Sequence, residues 1–234
     1  MDAEAPMGAR ALPVITVITP TAARPAAWPL AERWMARQTV QPDQWIVADD
    51  GEIPAPLTMG QLHIRRPRKE TGGASLAMNL LAAIPHVAGN VVIIMEDDDY
   101  YRPDHIAVCV EKLKAHRATG CIWLNYYNVR LKAWRRIRNS CAALCNTAFR
   151  AECLPMLERA ANQAMEQGIY HVDRLFWQQV GKAGLHEQET VIGIKGLDGM
   201  PGIGIGHQPG PKWNPDPQGV KLHKWIGEDA NAYG

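Results

Sequence analysis

The chain has 234 residues, of which 47% are hydrophobic and 21% charged, and its formal net charge at pH 7 is +1. Length and composition are those of an ordinary soluble globular protein, with enough chain for one large domain or two small ones. The near-zero charge excludes a protein that attracts polyanions over its whole surface, so any such preference must come from local patches. No apolar run approaches the ~18–20 residues of a membrane span, which excludes a membrane-spanning protein.

The cysteines and the N-terminus both bear on the cellular compartment of the protein. The five cysteines are odd in number and contain no C-x-x-C pair, which favours reduced thiols that pack as small hydrophobic side chains. Residues 1–12 lack the basic start and apolar core of a signal peptide and are predicted to be a loose leader. We therefore expect a soluble cytoplasmic protein.

The first half of the chain alternates strands with helices. Apolar, often β-branched runs predict strands over residues 14–19, 44–48, 61–64 and 90–95. Helical spacing of apolar residues lies around 30–38, around 76–84 and after Pro103. This alternation, with strands that are apolar throughout, predicts an α/β fold with a mostly parallel sheet covered on both faces by helices.

Polar chemistry marks the ends of three predicted strands. These ends read Thr19-Pro20-Thr21, Asp49-Asp50-Gly51 and Glu96-Asp97-Asp98-Asp99. In a parallel sheet the functional crevice lies at the carboxyl ends of the strands, so we expect the three segments to converge.

Four adjacent carboxylates after a buried strand need compensation by positive charge. One interpretation is a solvated acidic loop that caps the helix starting near Pro103. The other is a site for Mg²⁺ or Mn²⁺, which usually binds one or two carboxylates together with substrate phosphates. The second acidic strand end, at Asp49 and Asp50, favours the functional interpretation.

The second half of the chain is less regular. Two strands are predicted within residues 121–138, a further strand over 142–149, and helices over 151–166 and 171–183. From Gly196 on, glycine and proline dominate, which is typical of a mobile flap.

A family resemblance rests on four segments in order: VITVITPT, IVADDG, GGASLAMNLL and VVIIMEDDDYYRPDHI. Together they resemble the nucleotide-sugar half of family-two-like GT-A glycosyltransferases. The resemblance implies a single Rossmann-like catalytic domain over residues 13–207, with a nucleotide-sugar half (13–118), an acceptor half (119–207) that includes a small β-ribbon, and a flexible C-terminal lid (208–234). It implies a Mn²⁺- or Mg²⁺-dependent transfer of a sugar from a UDP-sugar to an acceptor hydroxyl, with inversion.

The D-x-D motif of this family follows an apolar strand and is followed by a proline. Alignment on Pro103 makes Asp98 the metal ligand and Glu96 and Asp97 donor contacts, and it places Asp99 on the acceptor side. Glu96 stands where the family has Asp, so the ligand register is open by one residue.

The resemblance assigns further residues to the site. Tyr170-His171-Val172-Asp173 resembles the acidic motif that supplies the catalytic base of inverting members, although an Asp at a helix N-terminus is also a common cap. The resemblance also implies His207 as a metal ligand, with a structural histidine as the alternative. The expected donor contacts are Thr19, Pro20, Thr21, Asp49, Asp50, Arg68 and Lys212.

A basic-aromatic ribbon over residues 123–138 raises the question of the acceptor. Its Trp134 and Arg136 could contact an acceptor such as phage-type DNA carrying hydroxymethylated bases. The alternatives are an exposed strand edge protected by charge, or a nucleic-acid-binding module without enzymatic activity. A nucleotidyltransferase on a related fold would need a Gly-rich basic loop after the first strand, and a Rossmann dehydrogenase would need G-x-G-x-x-G; TPTAARP supplies neither.

Overall fold

The computed structural model describes residues 13–22, 24–68, 73–199 and 210–233. The predicted leader, His207 and the segment around it lie outside these ranges. The strands are β1 (Ile15–Thr21), β2 (Gln44–Asp49), β3 (Leu62–Arg65), β4 (Val91–Ile94), β5 (Tyr100–Tyr101), β6 (Ala118–Cys121), β7 (Trp123–Asn128), β8 (Ala133–Arg138), β9 (Thr147–Arg150), β10 (Leu185–His186), β11 (Val191–Lys195) and β12 (Asn214–Pro215). The helices are α1 (Trp28–Ala36), α2 (Gly73–Ala83), α3 (His105–Lys112), α4 (Leu154–Glu166), α5 (Val172–Val180) and α6 (Val220–Ile226).

The main sheet has seven strands in the order β10-β6-β9-β4-β1-β2-β3. Strands β4, β1, β2 and β3 are parallel neighbours, and β9 runs antiparallel between β4 and β6. The predicted α/β class with a mostly parallel central sheet is confirmed. A second sheet, in the order β12-β8-β7-β11-β5, contains the predicted ribbon as the antiparallel pair β7–β8.

The core consists of two apolar layers, one on each face of the main sheet. Successive residues of β1 enter opposite layers, with Val17 in one and Ile18 in the other, as the period of a strand requires. Helices α1, α3 and α6 contribute to the layer of Val17, and α2, α4 and α5 contribute to that of Ile18. Within the described ranges, no helix is both long and apolar enough to cross a membrane.

The strand predicted over 142–149 is shorter than expected, because β9 begins only at Thr147 and a 3-10 turn, Leu144–Asn146, precedes it. The chain before β9 lies directly on Gly120 of β6. A Cβ added to Gly120 would come within 2.5 Å of the Ala142 Cβ and 2.7 Å of the Asn146 carbonyl oxygen. This segment is therefore held against the sheet by close packing and does not extend the β-ladder.

The C-terminal segment is packed over residues 220–233, where the sequence predicts a flexible lid. Helix α6 and the 3-10 turn Gly227–Tyr233 bury apolar side chains in the layer of α1 and α3, namely Leu222, Ile226 and Ala230. The buried carboxylate of Asp216 accepts hydrogen bonds from the Tyr127 hydroxyl at 3.0 Å and from the Lys221 backbone N–H at 2.9 Å. The glycines and prolines before α6 dominate the local composition, but this short amphipathic helix still covers the core.

Candidate active site

The three polar strand ends lie together and are joined by hydrogen bonds. Thr21 is in register with Asp49 across the parallel pair β1–β2. The Thr21 hydroxyl donates to Asp97 Oδ2 at 2.5 Å, which links the end of β1 to the acidic row after β4. The side-chain amide of Asn79 donates to the Thr21 carbonyl at 3.2 Å and to Asp50 Oδ1 at 3.4 Å. The structure thus brings the ends of β1, β2 and β4 into one polar region.

Three carboxylates of the acidic row could hold a single metal ion. One oxygen each from Glu96, Asp98 and Asp99 lies within 4.8 Å of the others. Asp98 and Asp99 are buried, and Glu96 is half-buried. Carboxylate oxygens at this spacing fit Mg²⁺ or Mn²⁺, which are hard cations.

Two buried or half-buried cations contact the same row. The Arg24 guanidinium lies 2.5 Å from Asp97 Oδ1 and 3.8 Å from Asp98 Oδ1. The Lys195 ammonium donates to Asp98 Oδ2 at 3.1 Å and to Asp99 Oδ1 at 2.9 Å, and the residue is only 4% exposed. Among the described residues, these two cations contact the row of four carboxylates.

The pKa values of the row reflect burial and the closeness of the carboxylates to one another. Burial, and then the charges of Asp99 and Asp98, raise the pKa of Glu96 to about 8. Burial raises the pKa of Asp99 to about 6, although Lys195 acts against this shift. Burial alone would lower the pKa of Lys195, but Asp98 and Asp99 outweigh it and raise the pKa well above the usual value, so the lysine is an ammonium ion. A divalent cation is the kind of ligand that this charge distribution favours.

Asp97 differs from its neighbours because it lies outside the trio of carboxylates that could hold a metal ion. It is 1% exposed and accepts hydrogen bonds from Thr21 and Arg24. These contacts fasten the acidic row to the chain that follows β1.

Asp49 organises the loop after β2. Its carboxylate accepts hydrogen bonds from the backbone N–H groups of Gly51 (2.8 Å) and Ala55 (2.9 Å), and it lies 2.9 Å from His63 Nε2 and 2.6 Å from the Arg65 guanidinium. Burial by itself would raise the pKa of Asp49, but these donors outweigh it and hold the pKa below its ordinary value.

Asp50 is the centre of a second polar group beside α2. Its Oδ2 accepts from the Ser75 hydroxyl at 2.5 Å and from the Arg66 guanidinium at 2.9 Å. Arg68, a predicted donor contact, lies 3.9 Å from the same oxygen. Two arginines that follow β3, Arg66 and Arg68, thus lie within ion-pair distance of the carboxylate at the end of β2.

Thr19 and Pro20 belong to β1 itself. The Thr19 hydroxyl accepts a hydrogen bond from the Trp45 indole at 2.9 Å and is buried against the layer of α1. Of the three residues predicted at this strand end, Thr21 contacts the acidic row. Lys212 is exposed.

Asp173 lies in the first turn of α5, and its Oδ1 accepts from the backbone N–H of Arg174 at 2.7 Å. Burial raises the pKa of its carboxyl group, which moves it toward the range that suits a general base. Burial, and then the charge of Asp173, raise the pKa of the Cys141 thiol in the chain that precedes β9.

That same chain reaches the acidic row. Burial, followed by the charge of Asp99, raises the pKa of the buried Cys145 thiol well above its ordinary value. Trp177, one turn after Asp173 on α5, donates to the Thr147 hydroxyl at 3.1 Å. Residues 141–147 thus connect the helix of Asp173 with the carboxylates after β4.

The basic-aromatic ribbon is largely neutralised by carboxylates. Arg136 forms an ion pair with Glu189 and lies 3.8 Å above the Trp123 ring centroid. Two more ribbon arginines form ion pairs, Arg130 with Asp198 and Arg138 with Glu187. Trp134 is half-buried, and the Lys221 ammonium lies 4.3 Å from its ring centroid.

Comparison with known proteins identifies the family. The sequence model described as "Glycosyl transferase family 2" matches residues 16–173, a span that contains the three strand ends and Asp173. The chain belongs to glycosyl transferase family 2. No curated protein matches the chain.

Two solved structures show the fold of this glycosyl transferase family 2 member. The mannosyltransferase PcManGT from Pyrobaculum calidifontis, in complex with GDP-Man and Mn²⁺, is 17% identical with a TM-score of 0.51, over 78% of this chain and 56% of that one. TarS from S. aureus is 12% identical with a TM-score of 0.52, over 77% of this chain and 36% of that one. The chain therefore spans about half and about a third of these two proteins. The predicted GT-A arrangement is confirmed by these comparisons.

Lys195 and Arg24 are two site residues that the sequence did not predict. Lys195 ends the apolar strand Val191–Lys195, almost 100 residues after the carboxylates that it contacts. Arg24 lies in a turn-rich segment between β1 and α1. The sequence contained only an indirect signal for these two cations. Four adjacent carboxylates after a buried strand require positive charges from elsewhere in the chain, but the carboxylates do not indicate which residues supply them.

Proposed function

We propose that this protein is a metal-dependent glycosyltransferase that transfers a sugar from a nucleoside-diphosphate sugar to an acceptor hydroxyl. The observation that carries the proposal is the cluster of Glu96, Asp98 and Asp99 at the carboxyl end of β4, within the span of the family match. Thr21 and Asn79 connect this cluster to the ends of β1 and β2, where a nucleotide would lie in a fold of this kind.

The proposed metal is Mn²⁺ or Mg²⁺, held by Asp98 with Glu96 or Asp99. His207 remains a proposed further ligand. When bound, the ion would neutralise the charge of the departing diphosphate. The spacing of the carboxylates supports this assignment, and the Mn²⁺ in the Pyrobaculum mannosyltransferase agrees with it.

The proposed donor is a hexose attached to UDP, with Asp49, Asp50, Arg68 and Lys212 on the donor side. GDP is the competing nucleotide, because the Pyrobaculum protein is described with GDP-Man. Asp49 and Asp50 are both engaged by protein donors, so we propose that they shape the nucleotide pocket through the loop after β2 and the start of α2.

Asp173 is the proposed base for an inverting transfer. Its carboxylate takes the proton of the acceptor hydroxyl while the acceptor oxygen bonds to the anomeric carbon. The bond from that carbon to the diphosphate oxygen breaks, and the nucleoside diphosphate leaves with the electron pair. The raised pKa of Asp173 and the connection of α5 to residues 141–147 support this role.

The proposed acceptor is DNA carrying hydroxymethylated bases, contacted by Asp99, Trp134 and Arg136. Support comes from the exposed Arg136 and Arg138 of β8 and from the half-buried Trp134 between β7 and β12. Phosphates would have to compete with Glu187, Glu189 and Asp198 for the ribbon arginines. All five cysteines are free and buried, in agreement with the reducing cytoplasm that we propose as the location.

A donor panel tests the proposal. Thermal stability and donor hydrolysis are measured with UDP-, GDP- and dTDP-sugars, each with Mn²⁺ or with EDTA. We expect the sugar donors of one nucleotide class to raise the melting temperature of the protein when Mn²⁺ is present. The same donors should be hydrolysed slowly with Mn²⁺ and not at all with EDTA. If no nucleotide stabilises the protein in the presence of Mn²⁺ or Mg²⁺, the proposed function is wrong. Duplex DNA with and without hydroxymethylated pyrimidines then tests the acceptor.

A further inference from the structure

Lys195 is the cation most deeply placed in the acidic cluster. It ends β11, whose five residues are all buried, and its side chain is 3% exposed. The register of β11 with β7 places it beside Asn128, and its ammonium lies 6.0 Å from the ring centroid of Tyr126. A buried lysine loses the hydration of its charge, which is costly unless ion pairs compensate. Here the compensation comes from Asp98 and Asp99.

These two aspartates are also two of the three residues that could hold a metal ion. The ammonium occupies Asp98 Oδ2 and Asp99 Oδ1, at 3.1 Å and 2.9 Å. A divalent cation bound by the same carboxylates would be repelled by the ammonium beside it, because like charges a few ångströms apart in a buried site are weakly screened.

Building on the function proposed above, we propose that Lys195 is a resident countercation that couples metal binding to donor binding. Without donor, its charge opposes the metal ion. With donor, the lysine and the ion together balance the carboxylates and the incoming diphosphate, so both ligands bind best as a pair. Lys195 is thus a specificity-determining residue that selects the metal–diphosphate complex over the metal alone.

A purely structural lysine would behave differently. Arg24 is closer to such a role, since its guanidinium lies 2.5 Å from Asp97 Oδ1, which is outside the trio that could hold the ion, and 3.8 Å from Asp98 Oδ1 within it. Loss of a structural cation would destabilise the fold and weaken all ligands alike. Loss of Lys195 as a countercation should change the two affinities in opposite directions.

The test uses three variants at position 195 and one control. Lys195→Met removes the charge and keeps an unbranched side chain, Lys195→Gln removes the charge and keeps hydrogen-bond donors, and Lys195→Arg keeps the charge. Lys224→Met removes an exposed lysine on α6 as the matched control. Mn²⁺ binding is measured by electron paramagnetic resonance without nucleotide, and UDP and GDP binding by calorimetry at saturating Mn²⁺.

We expect Lys195→Met and Lys195→Gln to bind Mn²⁺ alone about tenfold or more tightly than the wild type, because a neighbouring positive charge is gone. Nucleotide binding with Mn²⁺ should weaken by about tenfold or more. Lys195→Arg and Lys224→Met should remain within about threefold of the wild type. If the neutral variants do not fold in the absence of metal, millimolar Mn²⁺ should restore their folding, because the ion replaces the missing positive charge.

Two results would contradict the role of Lys195 and leave the proposed function intact, provided that the wild type binds Mn²⁺ together with nucleotide. In the first, both neutral variants bind Mn²⁺ no more tightly than the wild type. In the second, the neutral variants do not fold and Mn²⁺ does not restore their folding. If neither the wild type nor any variant binds Mn²⁺ with or without UDP or GDP, the proposed metal dependence fails, and the role of Lys195 fails with it.

Discussion

The hydroxyl of Tyr100 donates a hydrogen bond to Asp229 Oδ2 at 2.9 Å, across 129 residues of sequence. Arg37, directly after α1, also binds Asp229, and the Trp34 indole on α1 donates to the Tyr233 hydroxyl at 3.0 Å. Tyr100 directly follows the acidic row. The C-terminal 3-10 turn is therefore fastened both to α1 and to the strand that begins beside the candidate active site.

Asp229→Asn should lower the free energy of unfolding by about 1–2 kcal/mol, because it removes the charge that binds Arg37 and Tyr100. Urea denaturation measures the change. Asp198→Asn is the control, since it breaks a pair with Arg130 in which both side chains are exposed, and such pairs contribute about 0–1 kcal/mol. Equal effects of the two substitutions would argue against a packed C-terminal segment.

His105 should make the protein less stable in mild acid. It is buried, with Nδ1 2.7 Å from the Thr190 hydroxyl, and burial lowers its pKa to about 3 from an ordinary 6.5. Between pH 6.5 and 3 the unfolded chain binds a proton that the folded chain does not, so stability falls as pH falls through this window. From pH 7 to pH 5 the loss is about 2 kcal/mol from this residue.

His105→Asn removes that contribution, so its unfolding free energy should fall less between pH 7 and pH 5 than that of the wild type. The exposed His223→Asn serves as the control. Burial lowers the pKa of His186 as well, to about 4, so part of the acid sensitivity should persist in the variant. Parallel pH profiles for the wild type and His105→Asn would contradict the assignment.

Asp49→Asn should cost about 2 kcal/mol of stability at pH 7, because the amide cannot accept from both N–H groups and both basic side chains. The pKa of Asp49 is lowered on folding, so its contribution is present above about pH 4 and is lost as pH falls through the folded pKa. Urea denaturation at pH 7 tests this, with the exposed Glu52→Gln as the control. A variant of wild-type stability that fails to bind nucleotide would instead make Asp49 a direct donor contact.

Asp173→Asn should lower transfer by at least about 10²-fold while nucleotide affinity stays within about threefold, since a general base contributes about 10²–10⁴-fold and does not hold the donor. The exposed Glu166→Gln on the preceding helix is the control. Parallel loss of transfer and nucleotide binding would remove Asp173 from the role of base. Because burial raises its pKa, the acidic limb of the rate profile should lie above the ordinary range of aspartate.

Local patterns were sufficient for the first half of the fold. Strands β1, β2 and β4 combine apolar continuity with polar ends, and parallel pairing then forces Thr21, Asp49 and the acidic row to one edge of the sheet. The convergence of these segments was therefore predictable from the sequence, since it needs only the direction of the strands.

Long-range partners were not predictable in this way. The register of β11 with β7 places Lys195 at the acidic row, and no local pattern distinguishes it from a lysine that ends a strand in solvent. The packing of residues 220–233 was not predicted for a related reason. Leu222 and Ile226 are identified as core residues only by the apolar layer that they cover. Tertiary context decided both cases.

The most direct test of the account is calorimetric titration of UDP and GDP into the wild type and Asp98→Asn, each with Mn²⁺ and with EDTA. If the carboxylates after β4 hold the donor diphosphate through a divalent cation, one nucleotide should bind the wild type at least about tenfold more tightly with Mn²⁺ than with EDTA. That gain should disappear in Asp98→Asn. Equal nucleotide affinity in Mn²⁺ and EDTA, or an undiminished gain in Asp98→Asn, would contradict the account.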